Sequence, residues 1–263
     1  MAMRQQTRTY NLPHDDAGNL TYDGTYQYTY DAWNRLIETH KAYRVSSDDG
    51  FGGVELGPVQ TASRVMHARY DGINRRIVRK VENSADLDAT YHYYHHGHST
   101  IEVRNGSDLV LKQHLWGLDY IDELVQTSIN SDPFTSDEPD AHHWSLHNAN
   151  YNVMALVDAT GAIVERYEYT PYGQRQVYFS PGVNDPLAMA PTSMSRRWHV
   201  ADVAQPYGLN SIGHQGLRHD PETGLVYNRA RMLHVSLGRF VQRDPINQNQ
   251  PGGGYQDGMS LYQ

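Results

Sequence analysis

The sequence predicts an all-β fold, an antiparallel sheet of consecutive hairpins with long inserted loops. Three observations predict it. First, Tyr30-Asp31-Ala32-Trp33-Asn34-Arg35-Leu36-Ile37 and Tyr70-Asp71-Gly72-Ile73-Asn74-Arg75-Arg76-Ile77 share the frame Y-D-x-x-N-R-x-I, an internal repeat built on a turn. Second, alternating apolar and polar stretches accompany such turns at Thr25 to Tyr30, Ala89 to Tyr94 and Ile163 to Tyr169. Third, tyrosine outnumbers phenylalanine 20 to 4 in a chain only 38% hydrophobic. That balance suits sheets with one wet face, because Tyr packs its ring while its hydroxyl stays hydrated, and suits a thick globular core less well.

In chain order, Asp15-Asp16-Ala17-Gly18-Asn19-Leu20 is the first turn, with Gly where the repeat frame has Asn. The two full repeats follow. In each, Tyr ends the incoming strand, Asp accepts turn amides, Asn tolerates the left-handed position and Arg-x-Ile starts the outgoing strand. Residues 45–63, rich in Gly, Ser and Asp, read as a long loop between these repeats. Residues 131–141 are acidic and contain proline, and read as another loop. Asp158 to Ile163 repeats the Gly-containing turn. Residues 179–206, with four prolines and little periodicity, read as a third excursion. The densest stretch is Gly216 to Pro245. It holds a D-P-x-x-G turn (Asp220, Pro221, Gly224), a strand around Leu225 and Tyr227, a second turn at Ser236 to Gly238, a strand Arg239 to Gln242, and a stop at Asp244-Pro245.

The net charge of −8, with no basic run, argues against a nucleic-acid partner, since neutralising phosphates needs clustered Lys and Arg. The absence of cysteine removes disulfide frameworks and thiolate metal sites. Neither a signal-peptide pattern nor a run of about 20 apolar residues is present, so no transmembrane helix is expected.

The words R-x-D-P-E-T-G-L, Y-x-R-A-R and L-G-R-F-x-x-R-D-P within Gly216 to Pro245 resemble the core signature that closes the Rhs/YD-repeat family. His114 to Leu124 (HLWGLDYIDEL), Asn148 to Gln174 and Tyr255 to Tyr262 resemble further words of that family, the last with Ser260 where Asn is usual. The resemblance implies YD-repeat hairpins over 1–147, with loop insertions near 45–63 and 131–141, and a repeat-associated core over 148–263, with a loop insertion near 179–206. It implies a left-handed β-strand spiral that forms a hollow shell around a toxin-like C-terminal segment, with the core curled in as a plug. Roughly ten hairpins are fewer than a full shell needs. The expected partners are therefore the rest of a longer Rhs polypeptide or copies of this chain, and the expected setting is a secreted or cell-surface parent.

The resemblance also implies aspartyl self-cleavage at a bond downstream of Gln263. The candidates are Asp220 and Asp244, with Arg239 or Arg243 as a charged neighbour; two carboxylates held close divide into an acid and a base. The plainer reading is that Asp220 shapes its turn and Asp244 precedes Pro245 in a loop. The repeat residues Tyr30, Asp31, Asn34, Arg35, Tyr70, Asp71, Asn74 and Arg75 have a structural role. His92, His96 and His98 would share one strand face as weak imidazole metal candidates, against a structural reading in which His replaces Tyr. No cofactor is expected. Scaffold, self-processing module and carbohydrate- or cell-surface-binding protein are thus the three classes, and the direction of the tyrosines separates the first from the third.

Overall fold

The computed structural model describes residues 12–48, 54–179 and 209–244, together with the backbone of 195–198. It is all-β as expected. Thirteen strands form one antiparallel sheet whose spatial order is the sequence order, and four more form a second sheet in sequence order. The large sheet comprises β1 (Tyr26–Tyr30), β2 (Leu36–Asp48), β3 (Val54–Tyr70), β4 (Arg76–Val81), β5 (Ala89–His96), β6 (Ser99–Asn105), β7 (Val110–Trp116), β8 (Leu124–Ile129), β9 (Ala141–His147), β10 (Val153–Val157), β11 (Ile163–Tyr169), β12 (Arg175–Phe179) and β13 (Ser195–Trp198). The small sheet comprises β14 (Arg218–Asp220), β15 (Leu225–Asn228), β16 (Arg231–His234) and β17 (Arg239–Phe240). Residues 255–262, which carry the last family-like word, lie outside the described residues.

One turn geometry repeats along the large sheet. Asp31 Oδ1 accepts from the amides of Trp33 (2.9 Å) and Arg35 (3.0 Å), its main-chain oxygen accepts from Asn34, and Asn34 sits at φ 60°. Asp71 does the same with Ile73, Arg75 and Asn74, the last at φ 67°. Asn105, Asn148 and Asp158 repeat the pattern, with Asp108, Tyr151 and Gly161 in the left-handed position. These are three-residue hairpins, a type I turn closed by a bulge, and the register shifts at Thr29/Tyr30 and Arg69/Tyr70 are that bulge.

Successive hairpins are tied together by the tyrosine that precedes the turn. Tyr30 Oη donates to the Leu20 carbonyl, Tyr70 Oη to Leu36 and Tyr169 Oη to Val153, each at 2.7 Å. Each acceptor lies five residues after the residue that opens the preceding turn at the same end of the sheet, Asp15, Asp31 and Asn148 respectively. Phenylalanine cannot supply this bond, which gives the Tyr-rich composition a mechanism. The arginine of the frame reaches forward instead: Arg35 Nη1 donates to the Asp71 carbonyl (3.1 Å) and Arg75 Nη1 to the Gly97 carbonyl (2.8 Å).

Two loop expectations need correction. Residues 45–63 are not a loop on either side of residues 49–53: β2 and β3 run through them as a long ribbon, pairing Arg44 with Val59 and Ser47 with Glu55. Register shifts after Thr39, His40 and Arg44 break strict alternation, so the period-2 signal fails although the backbone stays extended. Within 179–206, Ser195–Trp198 pairs with β12; the rest of that segment lies outside the described residues. Residues 131–140 are irregular, with Ser131 N bonded to Asp140 Oδ1 (2.8 Å). The large sheet passes through position 147/148 without a break, because β9 pairs with β10; the change of sheet comes between β13 and β14.

The small sheet covers one face of the large one. Leu225, Met232 and Val241 pack with Leu20, Tyr28, Leu36, Met66 and Ala68 from the first strands. Ile212, just before β14, packs with Leu124, Val153, Leu156, Val164, Tyr167 and Val177 from β8 and β10–β12. Burying an aliphatic side chain contributes about 1.5–3 kcal/mol, so these contacts hold the two sheets together by several kcal/mol.

Candidate functional site

Asp220 shapes its turn through its main chain and not, as Asp31 and Asp71 do, through its carboxylate. The turn is closed by the Asp220 main-chain oxygen, which accepts from Gly224 N at 2.8 Å, with Gly224 at φ 71°, and Thr223 Oγ1 accepts from Leu225 N at 3.3 Å. The carboxylate points instead into the junction between the sheets, fully buried.

There it meets β4. Arg76 donates Nη1 to Asp220 Oδ2 (2.5 Å) and Nη2 to Oδ1 (2.8 Å), while Arg79 Nη1 reaches Oδ1 at 2.7 Å. The same Arg79 Nη1 lies 3.1 Å from Glu222 Oε2, so two buried carboxylates share one guanidinium nitrogen. The Arg76 guanidinium also stacks 4.4 Å from the centre of the Tyr227 ring, and Tyr227 Oη accepts from Arg76 N at 2.9 Å. Burial works against the charge on Asp220, but Arg76 and Arg79 outweigh it and hold the carboxyl below its usual range. Glu222 goes the other way. Burial, only partly offset by Arg79 and reinforced by the charge of Asp220, pushes it up to about 7. The carboxylate pair of the chain is therefore Asp220 with Glu222.

Asp244 stands apart. Asp220 pairs with Leu225, and Leu225 with His234, the last residue of β16; Asp244 Oδ2 contacts Arg231, the first residue of β16, at 3.3 Å. The two aspartates thus occupy opposite ends of the small sheet and are not brought together as an acid–base pair. Arg239 reaches His14 Nε2 at 2.8 Å and Arg243 is half-buried beside Asp244 in sequence, whereas the guanidinium groups that hold Asp220 are those of Arg76 and Arg79. The structure does not bring His92, His96 and His98 together on one strand face. His92 and His96 are four residues apart on β5, roughly 13 Å by strand geometry, and His98 lies beyond the Gly97 turn. Among the described residues, no group of three His, Cys, Asp or Glu side chains is placed to hold a metal ion.

Sequence reasoning missed Arg76, Arg79 and Glu222, although a signal for two of them was present. Aligning the repeats sets Leu36 against Arg76 and Thr39 against Arg79, and all four side chains are buried. An arginine replacing leucine at an inward position of a repeat announces a buried counter-charge.

No family model matches the chain. It is 25% identical over 255 residues to the tRNA(Glu)-specific nuclease WapA of Bacillus subtilis subsp. natto (strain BEST195), which covers 96% of this chain but 8% of that protein. It is 23% identical over 255 residues to salivary gland surface protein 1 of Aedes aegypti, covering 90% of this chain and 6% of that protein. The chain therefore spans less than a tenth of the curated relatives it matches. In fold it is similar to the TcdB2–TccC3–Cdc42 crystal structure, with a TM-score of 0.58 and 18% identity over 95% of this chain and 10% of that one. It is likewise similar to the Photorhabdus luminescens Tc holotoxin pore, with a TM-score of 0.56 and 17% identity over the same shares.

Proposed function

We propose that this chain is a wall segment, with its docking core, of an Rhs/YD-type polypeptide that encloses or presents a C-terminal toxin-like segment. The observation that carries this reading is the staple between hairpins. Tyr30, Tyr70 and Tyr169 spend their hydroxyls on the main chain of the preceding hairpin rather than on an exposed groove, as a scaffold requires and a carbohydrate-binding face does not. The uninterrupted strand order supports it, because such a sheet extends by adding hairpins at either end. The small sheet, seated on one face through Asp220, supports the role of plug. The relatives support it too, being proteins many times longer over whose sequences this chain is one stretch.

A strand edge that no further hairpin covers is a template for pairing, so the isolated chain is expected to assemble with copies of itself. Sedimentation velocity over a hundredfold concentration range is expected to show species larger than the 29.9 kDa chain. A clean monomer throughout would remove the assembly claim. A protease site appended after Gln263 tests enclosure separately. Cleavage in the assembled particle is expected to be slower than in a free peptide, and equal rates would refute enclosure.

A further inference from the structure

Beside the Asp220 junction lies a cavity of about 220 Å³, bounded by Arg79, Tyr91, Tyr93, Lys112, Ser211 and Arg218 among others. At about 30 Å³ per water it holds a tetrahedral oxyanion with water to spare. The charges around it do not balance. Asp220 and Glu222 are both engaged by Arg76 and Arg79, which leaves Arg218 and Lys112. Arg218, 8% exposed, donates Nη1 to Ser211 Oγ at 3.2 Å and lies 4.6 Å from the centre of the Tyr93 ring, with no carboxylate in salt-bridge range among the described residues. Lys112 Nζ donates to the Leu209 carbonyl; the oxygens of Glu165, the buried carboxylate that most favours its charge, are used by Leu209 N and Tyr167 Oη. Asp86 also lines the cavity and is exposed.

Two further groups point to a missing partner. The Tyr93 hydroxyl is buried without a hydrogen-bond partner, on a residue only 5% exposed, and so is Arg79 Nε. Burial lowers the Arg218 guanidinium from its ordinary value and brings the Lys112 ammonium down to about 8. An uncompensated buried cation is costly, and Arg218, with the Lys112 ammonium and an unbonded hydroxyl on the same cavity wall, forms the polar part of an anion site.

We propose that this cavity binds a small divalent oxyanion of the phosphate class, held by Arg218, Lys112 and the Tyr93 hydroxyl. The anion supplies Arg218 with the counter-charge it lacks, adds to that of Glu165 on Lys112, and accepts the hydrogen bond that Tyr93 otherwise wastes. Bound there, it stabilises the seat of the small sheet on β4–β7.

Isothermal titration calorimetry of the full chain with inorganic phosphate, at fixed ionic strength, tests this. Saturable one-to-one binding is expected. Tyr93→Phe, which keeps the ring and the fold, is expected to weaken it by about tenfold or more, the loss of one hydrogen bond to a charged group. Arg218→Met removes the unpaired cation and is expected to fold at least as stably as the parent without phosphate, and to gain nothing when phosphate is added. Acetate is expected to bind far more weakly than phosphate. The proposal is overturned by absence of saturable heat, by equal phosphate affinity in the parent and Tyr93→Phe, or by acetate binding as tightly as phosphate.

Discussion

Replacing Asp220 with asparagine keeps the shape of the side chain and removes its charge, leaving two buried guanidinium groups facing an amide. Three charge-assisted bonds of 2.5 to 2.8 Å are lost, two from Arg76 and one from Arg79. Breaking a buried ion pair by removing one partner costs about 3–5 kcal/mol. Part of that is recovered, because Glu222 no longer feels the charge of Asp220 and ionises against Arg79 at neutral pH. Among the described residues, Arg76 has no second carboxylate in salt-bridge range. The expected loss is therefore at the low end, about 3 kcal/mol, or roughly 10 °C in Tm for a chain of this size. Urea denaturation at pH 7 reads it as a lower midpoint with an unchanged slope. Arg76→Leu restores the residue that the first repeat carries at Leu36. Combined with Asp220→Leu it replaces a charged pair by an apolar one and is expected to be less destabilising than Asp220→Asn alone. If Asp220→Asn shifts stability by less than about 0.5 kcal/mol, the range of an ordinary surface change, the junction is not held by this pair and the reasoning fails.

Tyr70→Phe leaves the Leu36 carbonyl without its hydroxyl partner and is expected to cost about 1 kcal/mol by urea midpoint; no change would deny the staple an energetic role. At the left-handed turn positions, Asn74→Gly is expected to be close to neutral and Asn74→Val to cost roughly 1–2 kcal/mol. Asn34→Gly is expected to cost more than Asn74→Gly, because Asn34 Oδ1 accepts from Asn19 Nδ2 at 2.9 Å in a part-buried site, whereas Asn74 Oδ1 accepts from Arg35 Nη1 at 3.3 Å in an exposed one. Glu222 keeps its proton to about pH 7 in the fold but releases it near 4.5 when unfolded, so its contribution to stability falls as pH rises between those values. Burial of His95, His114, His143, His147 and His214 disfavours their protonation and works in the opposite sense, so the test is the difference between the parent and Glu222→Gln in denaturation curves from pH 4.5 to 7.5. The parent is expected to lose stability relative to Glu222→Gln across this window, and a constant difference would contradict the assignment. In a longer polypeptide that is cleaved downstream, Asp244→Asn with cleavage unchanged would remove the self-processing reading, since Asp220 is committed to Arg76 and Arg79.

The hairpin architecture was legible because its signal is local. Asp31 and Asn34, or Asp71 and Asn74, shape one turn within five residues, so the frame Y-D-x-x-N-R states the geometry directly. The ribbon at 45–63 was not legible, since register shifts erase alternation while main-chain pairing continues. The destination of the Asp220 carboxylate was hidden for a different reason. Its partner is more than 140 residues away, and the turn it opens shows only that the left-handed glycine stands four residues on, at Gly224, rather than three on as at Gly161.

The two repeats share a frame yet serve different ends. The first presents Leu36 and Thr39 to the interior, and Leu36 meets Leu225, Met232 and Val241 through apolar packing alone. The second presents Arg76 and Arg79 at the same positions, and these accept only a segment that brings carboxylates at the spacing of Asp220 and Glu222. Apolar packing tolerates sliding of one sheet over another, whereas a bidentate arginine fixes the position of its carboxylate. The first repeat thus supplies adhesion and the second supplies register. A small sheet shifted by one residue along β4 would keep much of its buried area and lose every charge-assisted bond, which is why the charged pair belongs at this junction despite contributing less to stability than an apolar pair of equal volume.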